Sequence, residues 1–366
     1  MKKKAIAFSD IPAPYRIGVF EELAKEYDMT VFFNQYIDQE RNMDYIIKDS
    51  AIKYFTLDNL DGKNEFNKCL RRIKEYKFVL AYHIGLANGL RLMFVGLMHN
   101  LPCFVNNDGA FINKNLWKNA IKRFMIKRAA LCFGSGETSR KYFLTFGAKE
   151  ENIRYHHFTS LNDEDIIKQA ISNNERRQLR ERLGLNDKKT VISVGQFIYR
   201  KGFDVLLESW RHIQGNHQLV IIGGGSLEYN YLEFIKSNQI KNVEIIGFKS
   251  KKILFDYYKA SDLFVLPTRK DTWGLVVNEA MACGLPVITT EMCNAGIELI
   301  ENGINGYIVP IDDVNVLAQK MQEILCNDAL TKLMSDNNIL KIQGQTIKNI
   351  AECHIKDITQ YFLNTN

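Results

Sequence analysis

The sequence predicts an α/β protein built as two doubly wound domains, each a parallel sheet with helices on both faces. Three observations carry that expectation. Short, almost continuously apolar runs alternate with longer amphipathic stretches along the chain, as strands buried on both faces alternate with covering helices. The runs fall into two sets separated by a polar, charged stretch at 160–185. The chain has 366 residues, more than one core usually encloses.

The first set places strands at 5–8, 30–33, 78–82, 102–106 and 130–134. The second places them at 190–196, 218–223, 243–247, 262–267, 286–290 and 306–309. Helical patterns over 202–213, 227–237 and 278–283 belong to the second set. The separator reads as a linking helix plus loop, which gives domains at 1–165 and 186–346. Ligands of open parallel sheets bind beyond the carboxyl ends of the strands, so the expected site is a cleft where the two sheets face each other.

Hydrophobic residues make up 46% and charged residues 25%, the balance of a soluble globular protein. A net charge of +6 is too small to indicate nucleic acid, and no nucleic-acid-reading signature is present. That charge suits an anionic small substrate or an anionic membrane surface. The seven cysteines are scattered, odd in number and without a C-x-x-C, so they read as reduced core residues and zinc is not indicated. After Met1-Lys2-Lys3-Lys4 the apolar run breaks at Ser9-Asp10, too short for an export signal and suited to a first buried strand. The run at 78–99 is interrupted by His83, Asn88 and Arg91 and cannot cross a bilayer. A cytoplasmic protein, soluble or peripheral on the membrane, is expected.

The richest motif runs from Pro267 through Asp271-Thr272-Trp273-Gly274-Leu275-Val276 to Glu279. A strand ends, a polar loop follows, and a helix opens near Gly274, whose free N–H groups and positive dipole end suit a phosphate. Asp271 on the loop and Glu279 about one turn into the helix would face one ligand and read paired sugar hydroxyls. The plainer reading is a helix-capping acid and an exposed glutamate. A second strand ends at Gly195-Gln196, and Arg200-Lys201-Gly202 precede a helix. Fixed cations at that place suit a leaving pyrophosphate, on which negative charge grows, although two solvated basic residues would look the same. Gly223-Gly224-Gly225 closes a third strand and allows a tight turn or close approach to a ligand. It lacks the spacing of a dinucleotide fingerprint.

The order of these elements resembles the C-terminal half of a retaining glycosyltransferase of the GT-B fold, in glycosyltransferase family 4. Gly247-Phe248 and the segment from Asn302 through Gly306 to Pro310 extend the likeness over about 190–310. The resemblance implies that Arg200 and Lys201 hold the donor diphosphate without a metal or other cofactor. It implies that Glu279 binds ribose hydroxyls, that Asp271 touches the transferred sugar, and that 272–276 offer amides to phosphate beside Gly195, Gln196, Gly223 and Gly224. Asp271 is one methylene shorter than the family's usual Glu, and Gln196 replaces its usual arginine. Attack on the face the leaving group departs from is favoured, and a closing helix at 347–366 is expected to pack back on the first domain.

The N-terminal half would bind a glycan or lipid-linked acceptor. Its start, Pro14-Tyr15-Arg16, resembles a subgroup that builds bacterial cell-surface polysaccharides, which places Arg16 at an acceptor or donor phosphate; a surface arginine at a helix start is the alternative. Asp108 stands where many relatives carry a histidine near the reaction centre, and would orient a sugar hydroxyl or stabilise positive charge at the anomeric carbon. An Asp-Gly turn is the alternative. Gly134 and Ser135 end the next strand, on a loop that borders the cleft in the family.

Other features are read as structural. Asp163-Glu164-Asp165 is a literal D-x-D, but it opens a helical run where acids are ordinary. His156-His157 has no partner at metal-ligand spacing. The basic amphipathic segment 114–128 is expected to bury its apolar stripe on the sheet, with contact to an anionic bilayer as the other reading. Two rival functions stand beside transfer: a nucleotide-sugar epimerase of the same fold, and a non-catalytic partner of a transferase complex.

Overall fold

Apolar runs flanked by capping residues set the elements of the computed structural model, which describes residues 2–36, 50–109 and 115–365. Its first unit comprises Met1–Thr159 and Gln345–Asn366, and its second Ser160–Gly344. The second unit therefore begins at Ser160, and the separator expected at 160–185 is part of it.

In the first unit β1 (Lys3–Ser9) is followed by α1 (Pro14–Leu23), β2 (Tyr27–Phe33), β3 (Tyr54–Thr56), α2 (Leu60–Arg71) and β4 (Phe78–Ala81). Then come α3 (Ala87–Met98), β5 (Cys103–Asn107), α4 (Leu116–Ile126), β6 (Leu131–Gly134), α5 (Glu137–Thr145) and β7 (Ile153–Tyr155). The second unit continues with α6 (Asn173–Leu183), β8 (Lys189–Gln196), α7 (Phe203–Trp210), β9 (His217–Gly224), α8 (Glu228–Ser237) and β10 (Val243–Ile246). It is completed by α9 (Lys251–Ala260), β11 (Leu263–Leu266), α10 (Leu275–Ala282), β12 (Val287–Thr290), α11 (Asn294–Leu299), β13 (Gly306–Val309), α12 (Val314–Leu325) and α13 (Asp328–Ile342). The chain then re-enters the first unit as α14 (Ile347–Thr365).

Among the described residues the sheets run β3-β2-β1-β4-β5-β6-β7 and β10-β9-β8-β11-β12-β13, and their strand pairs are parallel. Strand order reverses between β1 and β4 in one unit and between β8 and β11 in the other, which opens a crevice at the carboxyl ends there. The central strands are buried on both faces, as their apolar runs require.

Helix ends follow local chemistry. Pro14 opens α1. Ser172 and Glu175 form a reciprocal capping box on α6, which stops at Gly184 in the left-handed region. Asp313 and Asn327 cap α12 and α13. On α14 the residues Ile347, Ile350, Ala351, His354, Ile358 and Phe362 form the buried stripe. Ile347 meets Gly18 of α1, and Phe362 packs near Phe78 and Phe104.

Some expectations change. The edge strands β3 and β7 were not foreseen, and the helical pattern over 278–283 is the later part of α10, which begins at Leu275 beside the expected start near Gly274. Cys326 is exposed, whereas five of the other cysteines are buried. On α4 only Met125 and Ile126 are buried; Trp117, Ile121 and Phe124 face solvent instead of the sheet, Trp117 at 84% exposure. Ala110, Phe111 and Lys114 lie outside the described residues.

Replacing Phe362 by alanine removes a buried ring from the α14 seam and is expected to destabilise the chain by about 3–5 kcal/mol in urea unfolding. Leu363→Ala, at an exposed position, is expected to change stability by no more than about 0.5 kcal/mol. Equal effects of the two would contradict this packing of α14.

Candidate functional site

At the reversal in the second sheet, β8 and β11 lie side by side and their following loops meet. The loop after β8 turns through Tyr199–Lys201 and ends at Gly202, whose φ is 70°. A Cβ at Gly202 would stand 2.0 Å from the Pro267 carbonyl oxygen, so glycine is needed for the loops to touch. The Arg200 carbonyl accepts from the Arg269 N–H and the Thr268 hydroxyl, both at 2.8 Å.

These bonds bring three of the sequence candidates together. The buried Lys201 donates from Nζ to Asp271 Oδ2 at 2.5 Å. The exposed Arg200 donates to the Lys270 carbonyl at 3.2 Å, and its Nη1 lies 3.9 Å from Asp271 Oδ1. Asp271 is pinned in turn, because its N–H donates to the Met292 carbonyl at 2.9 Å. Two cations and one carboxylate are thus fixed on a rigid pair of loops.

Three residues after Asp271, Gly274 opens α10 at φ 101°, where a Cβ would stand 2.7 Å from Cys293 Sγ. The Thr272 carbonyl accepts from Asn294 Nδ2 at 2.7 Å and the Trp273 carbonyl from the Ala295 N–H at 2.8 Å. The first turn of α10, with Leu275 and Val276 half-buried, adds the positive end of its dipole. Trp273 itself is buried, with Nε1–H donating to Asn278 Oδ1 at 2.8 Å, so its ring supports the helix start.

Arg269 is a residue that the sequence reading passed over, although it sits inside the 267–271 run. Its Nε donates to Asp312 at 2.7 Å, its two Nη atoms to Asp204 at 2.9 and 2.7 Å, and Nη1 also to the Tyr199 carbonyl at 2.7 Å. The guanidinium lies 4.0 Å from the Tyr199 ring centre. It clamps the segment that carries the cation pair.

Glu279, on α10, has different company from Asp271. Oε1 accepts from Ser160 Oγ at 2.9 Å and Oε2 from the Tyr258 hydroxyl at 3.2 Å. Burial pushes its carboxyl above the ordinary value, opposed by Ser160, Lys251 and Tyr258. The two acids expected to act as a pair therefore sit in separate surroundings, one among cations and one among hydroxyls. Each oxygen of Glu279 retains acceptor capacity beyond these bonds.

The glycine turn is close-packed by protein. Gly223 pairs in register with Gly195, and a Cβ on it would stand 1.9 Å from the Gly195 carbonyl oxygen. A Cβ on Gly224 would meet the Phe248 ring at 2.9 Å, and Gln196 is half-buried opposite Gly224. Asp165 of the D-x-D run accepts from the Asn162 N–H at 2.6 Å and from Lys251 Nζ at 2.5 Å.

In the first unit Arg16 is buried rather than at the surface; its guanidinium is paired with Asp108 and lies 3.9 Å from the Tyr82 ring centre. Burial opposes its charge, but Asp108 together with Tyr82 and Tyr15 offsets this, and the guanidinium pKa is raised. Asn106 Nδ2 donates to Asp108 Oδ1 at 2.6 Å, and Asn106 Oδ1 lies 2.9 Å from His156 Nε2 and 3.1 Å from His354 Nε2. His354 stacks on Phe133, with ring centres 4.1 Å apart. Ser135 is buried against Ser139 at 3.3 Å, and Gly134 stands in register with Asn107. Neither histidine was singled out as part of a site. The available signal for His354 was that it is the one polar residue on the apolar stripe of α14.

Residues 175–341 match the family model of glycosyl transferases group 1, a span that includes the β8 loop, the β11 loop and α10. An uncharacterized glycosyltransferase of Haemophilus influenzae is 25% identical over 92% of this chain and 92% of that protein. The capsular polysaccharide biosynthesis glycosyltransferase CapM of Staphylococcus aureus is 29% identical over 59% of this chain and only 57% of its own length. Among solved structures, Anabaena Alr3699/HepE in complex with UDP shares the fold, with a TM-score of 0.78 and 17% identity over 98% of this chain and 100% of that one.

The buried histidines make stability depend on pH. Burial holds His156 and His354 down at about 3, against an ordinary 6.5, and the positive charge of Arg16 acts in the same direction on both. Below pH 6.5 the unfolded chain takes up protons that the folded chain does not, so this stability is complete above that value and is lost as pH falls toward 3. Each ring is expected to remove on the order of 1 kcal/mol per pH unit well below its unfolded value. His354→Gln should show a shallower loss than the wild type in unfolding series between about pH 7.5 and 5; parallel curves would count against buried neutral histidines.

Proposed function

We propose that this chain, which matches the glycosyl transferases group 1 model over residues 175–341 and shares the fold of solved glycosyltransferases, is a GT-B glycosyltransferase that moves a sugar from a nucleoside diphosphate to a glycan or lipid-linked acceptor. The observation that carries the reading is the Lys201–Asp271 contact at 2.5 Å, with Arg200 beside it, on the loop that leads into α10. Lys201 and Arg200 hold the donor diphosphate and meet the charge that grows on it as the sugar leaves. The start of α10 adds its dipole. Together they supply the positive charge that a metal ion would otherwise bring. Asp271, with Oδ2 on Lys201, turns Oδ1 to a hydroxyl of the transferred sugar, and Glu279 reads the ribose hydroxyls. The acceptor binds the first unit, where Arg16 holds Asp108 ready to stabilise positive charge at the anomeric carbon. Attack comes from the face the leaving group departs from, so configuration is retained. Similarity to the capsular enzyme supports a place in cell-surface polysaccharide assembly.

Lys201→Ala or Glu279→Ala is expected to lower transfer by about two to three orders of magnitude, the scale of one lost transition-state contact. Arg200→Ala reads the same cation site at an exposed position, where the fold is least disturbed. Near-normal turnover in these variants, with melting curves intact, would contradict the assignment. Incubation with donor alone separates the rival: an epimerase changes the sugar, while a transferase releases nucleotide slowly.

A second reading concerns location. Among the described residues no helix is long and apolar enough to cross a membrane. The outer face of α4 nevertheless exposes Leu116, Trp117, Ile121 and Phe124 beside Lys118, Lys122, Arg123, Lys127 and Arg128. Apolar rings among cations suit the headgroup region of an anionic leaflet. Binding to phosphatidylglycerol vesicles is expected to weaken by at least about tenfold in Trp117→Ala/Phe124→Ala and to fall with salt. Unchanged sedimentation of the variant with vesicles would rule this face out.

A further inference from the structure

We propose that His156 is a positioning residue for Asp108: it fixes the amide of Asn106, which in turn holds the carboxylate. The inference rests on the role given to Asp108 above. A carboxylate only accepts hydrogen bonds, so the 2.6 Å contact sets the Asn106 NH2 toward Asp108 and its Oδ1 toward the two histidines.

Chemistry decides which histidine supplies the hydrogen. His354 Nδ1 lies 2.8 Å from the Ile350 carbonyl, which also only accepts, so the hydrogen of its neutral ring sits on Nδ1. Nε2 of His354 is then a lone pair, 3.5 Å from the Tyr82 hydroxyl, and gives Asn106 nothing. The donor to Asn106 Oδ1 is therefore His156 Nε2–H, at 2.9 Å. Burial keeps both rings uncharged near neutral pH.

This tautomer has a consequence. His156 Nδ1 becomes a buried lone pair with no hydrogen-bond partner among the described residues. An unpaired buried acceptor is destabilising, and an apolar side chain would avoid it. What histidine supplies here, and an apolar residue would not, is the N–H that locks Asn106. The charged and titratable groups around it are Arg16, Asp108, His157 and His354.

The test uses the full chain, with the nucleotide sugar that gives the largest thermal shift as donor and water as acceptor. His156→Leu is expected to lower kcat by up to about a hundredfold, the scale of a slight misplacement, with KM for the donor unchanged. His156→Gln, whose amide restores a donor, should recover most of kcat. In proton–nitrogen correlation spectra the wild-type ring should carry its hydrogen on Nε2. Full turnover in His156→Leu, equal losses in both variants that follow lowered melting temperatures, or a hydrogen on Nδ1 would overturn the proposal. Asp108→Asn separates the two levels: wild-type turnover there removes the role of Asp108 itself, whereas lost turnover there with full activity in His156→Leu removes only the positioning step.

Discussion

The buried ion pair between Lys201 and Asp271 is the contact on which the candidate donor site depends. A lysine ammonium taken out of water is strongly destabilising unless it is paired and well placed. Here the pair joins the loop after β8 to the loop after β11, and bonds from the Arg269 N–H and the Thr268 hydroxyl to the Arg200 carbonyl hold those loops together. Folding therefore completes the electrostatic arrangement before any ligand arrives. A cation already fixed in place needs no reorganisation when charge develops nearby, which is the condition for strong transition-state stabilisation.

The first unit repeats the device with other residues. Arg16 comes from the helix after β1, Asp108 from the end of β5, and the guanidinium lies over Tyr82 from the end of β4. Again a charged pair stands near the reversal of strand order, where loops splay and leave a crevice. The supporting layers differ. Arg269 braces the second-unit pair through Asp204, Asp312 and Tyr199. Neutral amide and imidazole groups brace Asp108.

Much of this was legible in the sequence where the relevant residues are neighbours in the chain. Apolar runs buried on both faces announced the central strands, and Arg200-Lys201-Gly202 and Asp271 to Gly274 announced the loops that meet. The three-residue edge strands β3 and β7 carry too little pattern to read. Partners far apart in sequence were invisible: Ser160 lies 119 residues from Glu279, and His354 lies 248 from Asn106. Periodicity showed that α4 has an apolar stripe. It did not show whether that stripe is covered, which is why Trp117 and Phe124 emerge in solvent. The glycine run that closes β9 offered turn and ligand approach equally, and the sequence could not show that a Cβ at Gly223 or Gly224 would meet Gly195 or Phe248.

The most direct test of the central claim compares calorimetric affinities for a nucleoside diphosphate and its monophosphate in the wild type and in Lys201→Met. If Lys201 holds the second phosphate, the wild type prefers the diphosphate, and the variant loses about tenfold to a hundredfold of that preference while binding the monophosphate as before. An unchanged preference in the folded variant would mean that the cation pair does not meet the diphosphate, and the donor site as described would be wrong.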